Sequence, residues 1–523
     1  MDSARSKAER PAASNFKKYA SIAIMVLLTG LGLSLLDLYL YQHDFASNCL
    51  LYLGEKALLV HDGKPPRLEN MGFTSPPFPH FFVLLVKNPF IASAFVSGVI
   101  ITVCLMALHK SMKRGKISFT LFAILFCYMT TSPLCLYLFS QQLPDTILIG
   151  LLLLTYHHLF KYSQYEISYD LFIFGLLTAV IFLTRFQAVA VVPFLGLVLA
   201  TRYRREDPLK SLAVLLTSVF PVFFISFSWC YLNWVFLNDP FYFMAHWDTS
   251  LDPGLSMSAM ASQSRELLSG AKAAAAFFNN NVPVVLPYVL TGIWIVFLPR
   301  GQLRRGIIVA IFLTPLIFLF AHYMTSFSDV NQDFLLLFVA TAVALRIYCH
   351  EQMRRSSFRH LFTVSILVSM FMSFWLPCHH QGSEEQLFCQ IISGQKGYGQ
   401  LKPLRQLLSQ VSPNGKILMD DTANFPLVYM TQEPKHFILP YEYEFEMILA
   451  APRHFVRYII VSGNSSRDRI LGRYPLATAG IVPGFTLVGR FGNVYLYETL
   501  KRHRLLVSNG GKGRSKPHQD THL

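Results

Sequence analysis

The chain has 523 residues, 53% of them apolar and only 14% charged, with a mean hydropathy of +0.40. Soluble domains carry roughly 25% charged residues, so most of this surface reads as lipid-facing, which excludes a cytosolic enzyme, a disordered regulator and a disulfide-framework secreted domain. The formal charge is +15, but the basic residues sit in short loops between apolar runs, a topology signal that argues against nucleic acid as a partner.

A basic tail, residues 1–19, precedes an apolar run near 20–41. That run is too long for a signal-peptide h-region and lacks an A-x-A site, so it reads as a retained first helix. Further apolar runs lie near 88–108, 117–139, 144–160, 169–184, 187–201, 211–234, 282–298, 307–325, 331–348 and 361–377, about eleven spans in all. With the N-terminus inside, every cytoplasmic loop is basic: Lys110 to Lys116, Lys161, Arg202 to Lys210, Arg300 to Arg305, and Arg354 to Arg359. This meets the positive-inside rule. The long segments 42–87, 235–281 and 378–523 are mixed in charge and fall outside.

From Cys378 to about residue 502 the pattern changes. Strand-like runs begin at Lys416, Phe437, Tyr458, Phe485 and Val494, with helical stretches at 401–411 and 443–450 between them. Alternating signals of this kind predict a small α/β domain. The Gly-, Lys- and His-rich tail 503–523 reads as disordered. The fold class expected is therefore mainly α: a polytopic membrane bundle over 20–377 with outer loops 42–87 and 235–281, N-terminus in and C-terminus out, carrying an extracytoplasmic α/β domain at 378–502.

Cys378 and Cys389 both fall just beyond the last span, where a disulfide is chemically allowed. The rival is a zinc site of Cys378, His379, His380 and Cys389, whose spacing fits no standard pattern. There is no Walker A sequence.

The first outer loop carries the most chemistry. It leaves the membrane through Asp37 and His43-Asp44, continues through His61-Asp62-Gly63-Lys64-Pro65-Pro66-Arg67, and returns through Ser75-Pro76-Pro77-Phe78-Pro79-His80. The prolines predict an extended re-entry rather than a helix start. Three later segments stand out: Gln141-Gln142-Leu143-Pro144-Asp145 at a short outer turn, Leu183-Thr184-Arg185-Phe186-Gln187 at a helical hairpin, and Asn233-Trp234 through Asp239-Pro240-Phe241 where a span ends.

In their order, spacing and topology these features resemble the GT-C superfamily of polytopic glycosyltransferases, and more narrowly the lipid A aminoarabinose transferase and Rgt-type group, over about residues 20–350. The sequence departs from that pattern in carrying His43-Asp44 where many members have two acids, and Val330-Asn331-Gln332-Asp333 where an Arg-Tyr pair is common.

The resemblance implies an inverting glycosyltransferase that takes a sugar from a polyprenyl-phosphate donor to an extracytoplasmic glycan, lipid or protein, at the inner (plasma) membrane with its site facing the periplasm or exterior. Asp44 is then the general base, since a positioned carboxylate can take the acceptor proton. Arg185 is the donor-phosphate ligand, because its planar fork matches phosphate, with Lys64, Arg67 and His322 as further phosphate candidates. Asp145 orients the acceptor or base, or shares a divalent metal with Asp44; no cofactor is otherwise required. The blander readings are a solvated loop acid for Asp44, an N-cap for Asp145, a snorkelling anchor for Arg185 and a turn for Asp239-Pro240. Two other functions compete. A transporter or lipid flippase would show more ionisable residues mid-span. An inactive scaffold presenting the C-terminal domain to a partner is the reading that His43 keeps open.

Overall fold

The computed structural model describes residues 10–72, 75–201, 207–243, 272, 275–278, 281–297, 305–325, 334–350, 356–379, 384–395, 399–413, 415–463 and 468–500. Most of loop 235–281 and the whole of the tail 503–523 lie outside the described residues, as do the Cys378 and His379 side chains and His380, so neither the Cys378–Cys389 pairing nor the zinc alternative is described.

The helices of the first part are α1 (Arg10–Gln42), α2 (Asn48–Asp62), α3 (Pro77–Val86), α4 (Pro89–Lys113), α5 (Phe119–Thr131), α6 (Pro133–Gln141), α7 (Leu143–Tyr165), α8 (Ser168–Thr184), α9 (Ala188–Thr201), α10 (Pro208–Leu237), α11 (Val282–Val296), α12 (Arg305–Thr325), α13 (Leu335–Tyr348) and α14 (Ser356–His379). Every one of the eleven apolar runs is helical, but among the described residues only six helices are long and apolar enough to cross a membrane: the stretch 19–42 of α1, then α4, α7, α10, most of α12 and most of α14. A seventh is counted if α5 and α6, bent by 57° at Ser132, form one broken span. The bend has a local cause. Ser132 is extended and Pro133 cannot continue the ladder of α5, while the Ser132 and Ser373 hydroxyls meet at 2.7 Å. Helices α8, α9, α11 and α13 are apolar but run only 14 to 17 residues, so the expected count of eleven is not reached by length.

Apolar side chains on the bundle surface, such as Leu27, Leu28 and Leu31 of α1 and Phe220, Phe223 and Phe227 of α10, remain exposed. That is the inverse of a soluble helix, where such a stripe faces the core. Helices α1 and α4 approach closely because Gly98 leaves no room for a side chain: a Cβ there would lie 3.0 Å from Gly30 N and Val26 O.

The extended re-entry expected at Pro76–Pro79 is corrected by α3, which starts at Pro77. Proline is favourable at the first helical position, where its missing N–H has no intrahelical partner to lose.

After α14 come α15 (Glu384–Ile392), α16 (Lys402–Gln410), β1 (Ile417–Met419), α17 (Asp421–Thr431), β2 (Phe437–Ile438), α18 (Phe445–Ala450), β3 (Tyr458–Ser462), α19 (Arg469–Arg473), β4 (Phe485–Phe491) and β5 (Val494–Thr499). All five strand-like runs are strands. They form one sheet of order β2-β1-β3-β5-β4, parallel across β2, β1 and β3 and antiparallel across β5 and β4. Strands β1, β2 and β3 are buried along their whole length, as expected for parallel strands covered on both faces. One face packs Leu418, Ile459 and Tyr497 with Phe445 and Ile470. The other packs Ile417, Met419 and Ile460 with Leu427, Val428 and Leu59.

Leu59 belongs to α2, so the first loop of the bundle completes the core of the C-terminal sheet. Helix α15, by contrast, packs on the bundle, with Phe388 against Phe45 and Tyr137.

Gly54 marks the tightest point of this docking: a Cβ would fall 2.6 Å from the Tyr429 ring and 2.9 Å from Pro89 Cγ. Gly54→Ala is expected to cost about 1–3 kcal/mol by overpacking, read as a lowered Tm in detergent. Gly32→Ala, with nothing within 4 Å of its Cβ, is expected to leave Tm unchanged.

Candidate functional site

The C-terminal end of α6 meets the start of α2 through Gln141. Its side-chain carbonyl accepts from Ser47 N at 2.9 Å, its backbone carbonyl accepts from Ser47 Oγ at 2.7 Å, and its Nε2 donates to Asp37 Oδ1 at 2.7 Å. Ser47 also caps α2 by accepting from Leu50 N. Beside this, Glu384 of α15 accepts from Tyr137 OH at 2.9 Å and from Asn48 N at 3.1 Å. Four elements, α1, α2, α6 and α15, are thus tied together within a few residues of both Asp44 and Asp145.

Asp145 and Arg185 form the strongest polar contact at this end. Arg185 Nε donates to Asp145 Oδ1 at 3.1 Å, and Nη2 reaches Oδ1 at 2.5 Å and Oδ2 at 2.6 Å. The Asp145 side chain is 7% exposed and that of Arg185 22%. The local sequence explains both placements. Asp145 lies in the first turn of α7, where a carboxylate suits the helix N-terminus. Arg185 is the extended residue that ends α8, and buried Phe186 next to it packs against Phe182, Trp229 and Phe243. The cap reading of Asp145 is corrected: the N-cap position is Gln142, and the Asp145 carboxylate faces the guanidinium. Asp239 does form the expected turn, its Oδ1 accepting from Phe241 N at 2.9 Å.

Asp44 stands nearby but on a different partner. Its backbone is left-handed, φ 62°, and Arg405 Nε of α16 lies 3.0 Å from Oδ1. His43 turns away, with Nδ1 2.8 Å from Tyr39 O. Among the described residues no hydrogen bond or ion pair joins Asp44 to Asp145, and no three His, Cys, Asp or Glu side chains converge as a metal group. With each carboxylate facing a guanidinium, the arrangement suits anion chemistry.

Of the further phosphate candidates, Arg67 and Lys64 have their contacts elsewhere. Arg67 donates to Tyr443 OH at 2.9 Å and to Tyr441 O at 3.3 Å, and Lys64 lies 3.5 Å from Glu444. Both therefore hold the turn after β2. His322 lies on α12, its ring 5.9 Å from that of Tyr323.

A second polar cluster escaped the sequence reading. Lys56 Nζ of α2 sits 2.7 Å from Asp421 and 3.2 Å from Glu55 and 5.3 Å from the Tyr52 ring centroid. Glu55 is fully buried. Burial pushes the Glu55 carboxyl well up, while the Lys56 ammonium holds Asp421 below the usual carboxylate range. Asp420 and Asp421 follow β1 at the C-terminal edge of the parallel strands, where connections diverge to either side of the sheet. In sheets of this kind that crevice is the usual ligand site; here α2 packs against α17 beside it. The signal was a Glu-Lys pair inside the apolar run Leu50 to Val60.

The chain matches no protein-family model and no curated protein.

Removing one partner of the buried pair strands the other charge, so Asp145→Asn is expected to cost about 3–5 kcal/mol, whereas the double change Asp145→Leu with Arg185→Leu costs less than that; denaturant titration in detergent reads both. The α/β unit should also respond to pH. Burial pushes the carboxyls of Glu442 and Asp468 up to about 7 each. The folded state therefore binds their protons more tightly, and the stability they contribute in acid is lost as pH rises through about 7. Hydrogen exchange of the β1 and β3 amides is expected to speed up from pH 5 to 8, after correction for intrinsic rates, and Glu442→Gln to flatten the trend.

Proposed function

We propose that the chain is a polytopic membrane glycosyltransferase of GT-C type, moving a sugar from a polyprenyl-phosphate donor to an acceptor on the side of the membrane that holds the α/β unit. The observation that carries the reading is the bidentate Arg185–Asp145 pair, buried at the same end of the bundle as Asp44 and linked to it through Gln141 and Ser47. The basic residues Lys110, Lys113 and Lys161, near the C-terminal ends of α4 and α7, support the orientation.

In this reading Asp145 is a positioning residue. It fixes the planar fork of Arg185 so that the guanidinium meets the donor phosphate without further ordering. Asp44 takes the proton of the acceptor hydroxyl. The acceptor oxygen bonds to the anomeric carbon as the bond from that carbon to the phosphate oxygen breaks. The electron pair leaves on the polyprenyl phosphate, whose charge Arg185 stabilises. A single displacement of this kind inverts the anomeric centre. A divalent metal between Asp44 and Asp145 would compete with two arginines for the same carboxylates.

A transporter or flippase is the second reading, and one observation favours it. Asp37 lies buried within α1, and its Oδ2 accepts no hydrogen bond among the described residues, a feature often found along ion pathways.

Native mass spectrometry of the detergent-purified chain separates the two. The wild type is expected to retain a species with the mass of a sugar-bearing polyprenyl phosphate. Arg185→Lys keeps the charge but loses the fork and is expected to retain much less. Asp44→Asn is expected to retain the lipid and lose turnover. Equal retention of ordinary phospholipid by wild type and Arg185→Lys would sink the donor assignment.

A further inference from the structure

The contact between Asp44 and the C-terminal unit is closer than a surface ion pair requires. Leu401 N donates to Asp44 O at 2.9 Å. Gly399 lies directly against the residue: a Cβ there would be 2.2 Å from Asp44 Cβ and 2.8 Å from the carbonyls of Asp44 and His43. Arg405 is itself pinned, with Nη2 donating to Tyr41 O at 2.9 Å and its guanidinium 5.1 Å from the Tyr41 ring centroid. The left-handed backbone of Asp44 is thus held by its carbonyl, its Cβ and its carboxylate, all from one short segment of the α/β unit. Oδ1 is buried and accepts no hydrogen bond among the described residues. The guanidinium contacts it by charge, off the hydrogen-bond direction, and leaves its lone pairs for another donor.

We propose that Arg405 is a positioning residue for Asp44, so that the C-terminal α/β unit forms one wall of the site and presents the base to the acceptor. This rests on the glycosyltransferase reading only for the word base; the presentation of Asp44 is a matter of geometry. Arg405 spans the Asp44 carboxylate and the Tyr41 carbonyl at once, which a lysine's single ammonium on a flexible stem does poorly. The Lys56–Asp421 contact joins the unit to α2 separately from Arg405.

The test is carboxyl footprinting of the full-length protein in detergent, with a carbodiimide and glycine ethyl ester as probe and peptide mass spectrometry as readout. Arg405→Gln, which releases the carboxylate, and Gly399→Ala, which displaces the backbone, are each expected to raise labelling at Asp44 severalfold. Labelling at buried Asp421 should stay at the wild-type level, and Arg405→Lys should fall between. In a turnover assay Arg405→Gln is expected to slow the chemical step while the lipid retained in native mass spectrometry is unchanged, and Arg405→Lys to restore part of the rate. Unchanged labelling at Asp44 in both variants would overturn the proposal. So would a joint rise at Asp44 and Asp421, since Arg405 would then serve docking alone. Failure of the glycosyltransferase reading appears elsewhere, as turnover that survives Asp44→Asn or as a donor lipid that is never retained.

Discussion

One ammonium ties the two halves of this molecule together. Lys56 projects from the first loop helix and meets Asp421 at 2.7 Å, with Glu55 at 3.2 Å on its other side. A buried charge cluster adds little net stability over a well-packed apolar one, but it strongly penalises any arrangement that leaves one of its members alone. It therefore fixes register. With Leu59 seated in the core of the sheet and Gly54 flush against Tyr429, the α/β unit has one way to sit on the bundle, and that placement brings Arg405 to Asp44.

The Arg185–Asp145 pair does the same work inside the bundle. It joins the start of α7 to the end of α8, while Gln141 ties the end of α6 to the start of α2. Its surroundings are aromatic, with Phe186 beside Arg185 packed against Phe182, Trp229 and Phe243. Each arginine at this end is thus already oriented by protein oxygens, a preorganised state for meeting an anion.

Much of this was legible in the sequence because it is local. Apolar runs gave helices at every expected place, and β-rich runs bounded by turn residues gave all five strands. The span count was less accessible: α8, α9, α11 and α13 are apolar enough but run only 14 to 17 residues, and an apolar run does not show where its helix stops. Prolines also misled at Pro77, where the same ring that forbids a helix interior favours a helix start. Asp44, Asp145 and Arg185 were visible as ionisable residues at span ends, but their partners were not. For Lys64 and Arg67 charge and loop position are all that sequence displays; it does not show their contacts with a turn more than 370 residues away, which Arg67 makes beside local ones to Glu69 and Asn70. The Lys56 cluster could be noticed as an oddity in an apolar run, but not connected to Asp421, 365 residues on.

That distance bears on how the molecule is made. The groups that hold Asp44 in its left-handed conformation lie more than 350 residues downstream, so during synthesis Asp44 is not fixed in that conformation until the segment from Gly399 to Arg405 has emerged. Contacts of such high sequence separation form late. Assembly of this site is therefore a check on completeness: a chain that stalls or is clipped before Gly399 lacks the groups that set Asp44 in place.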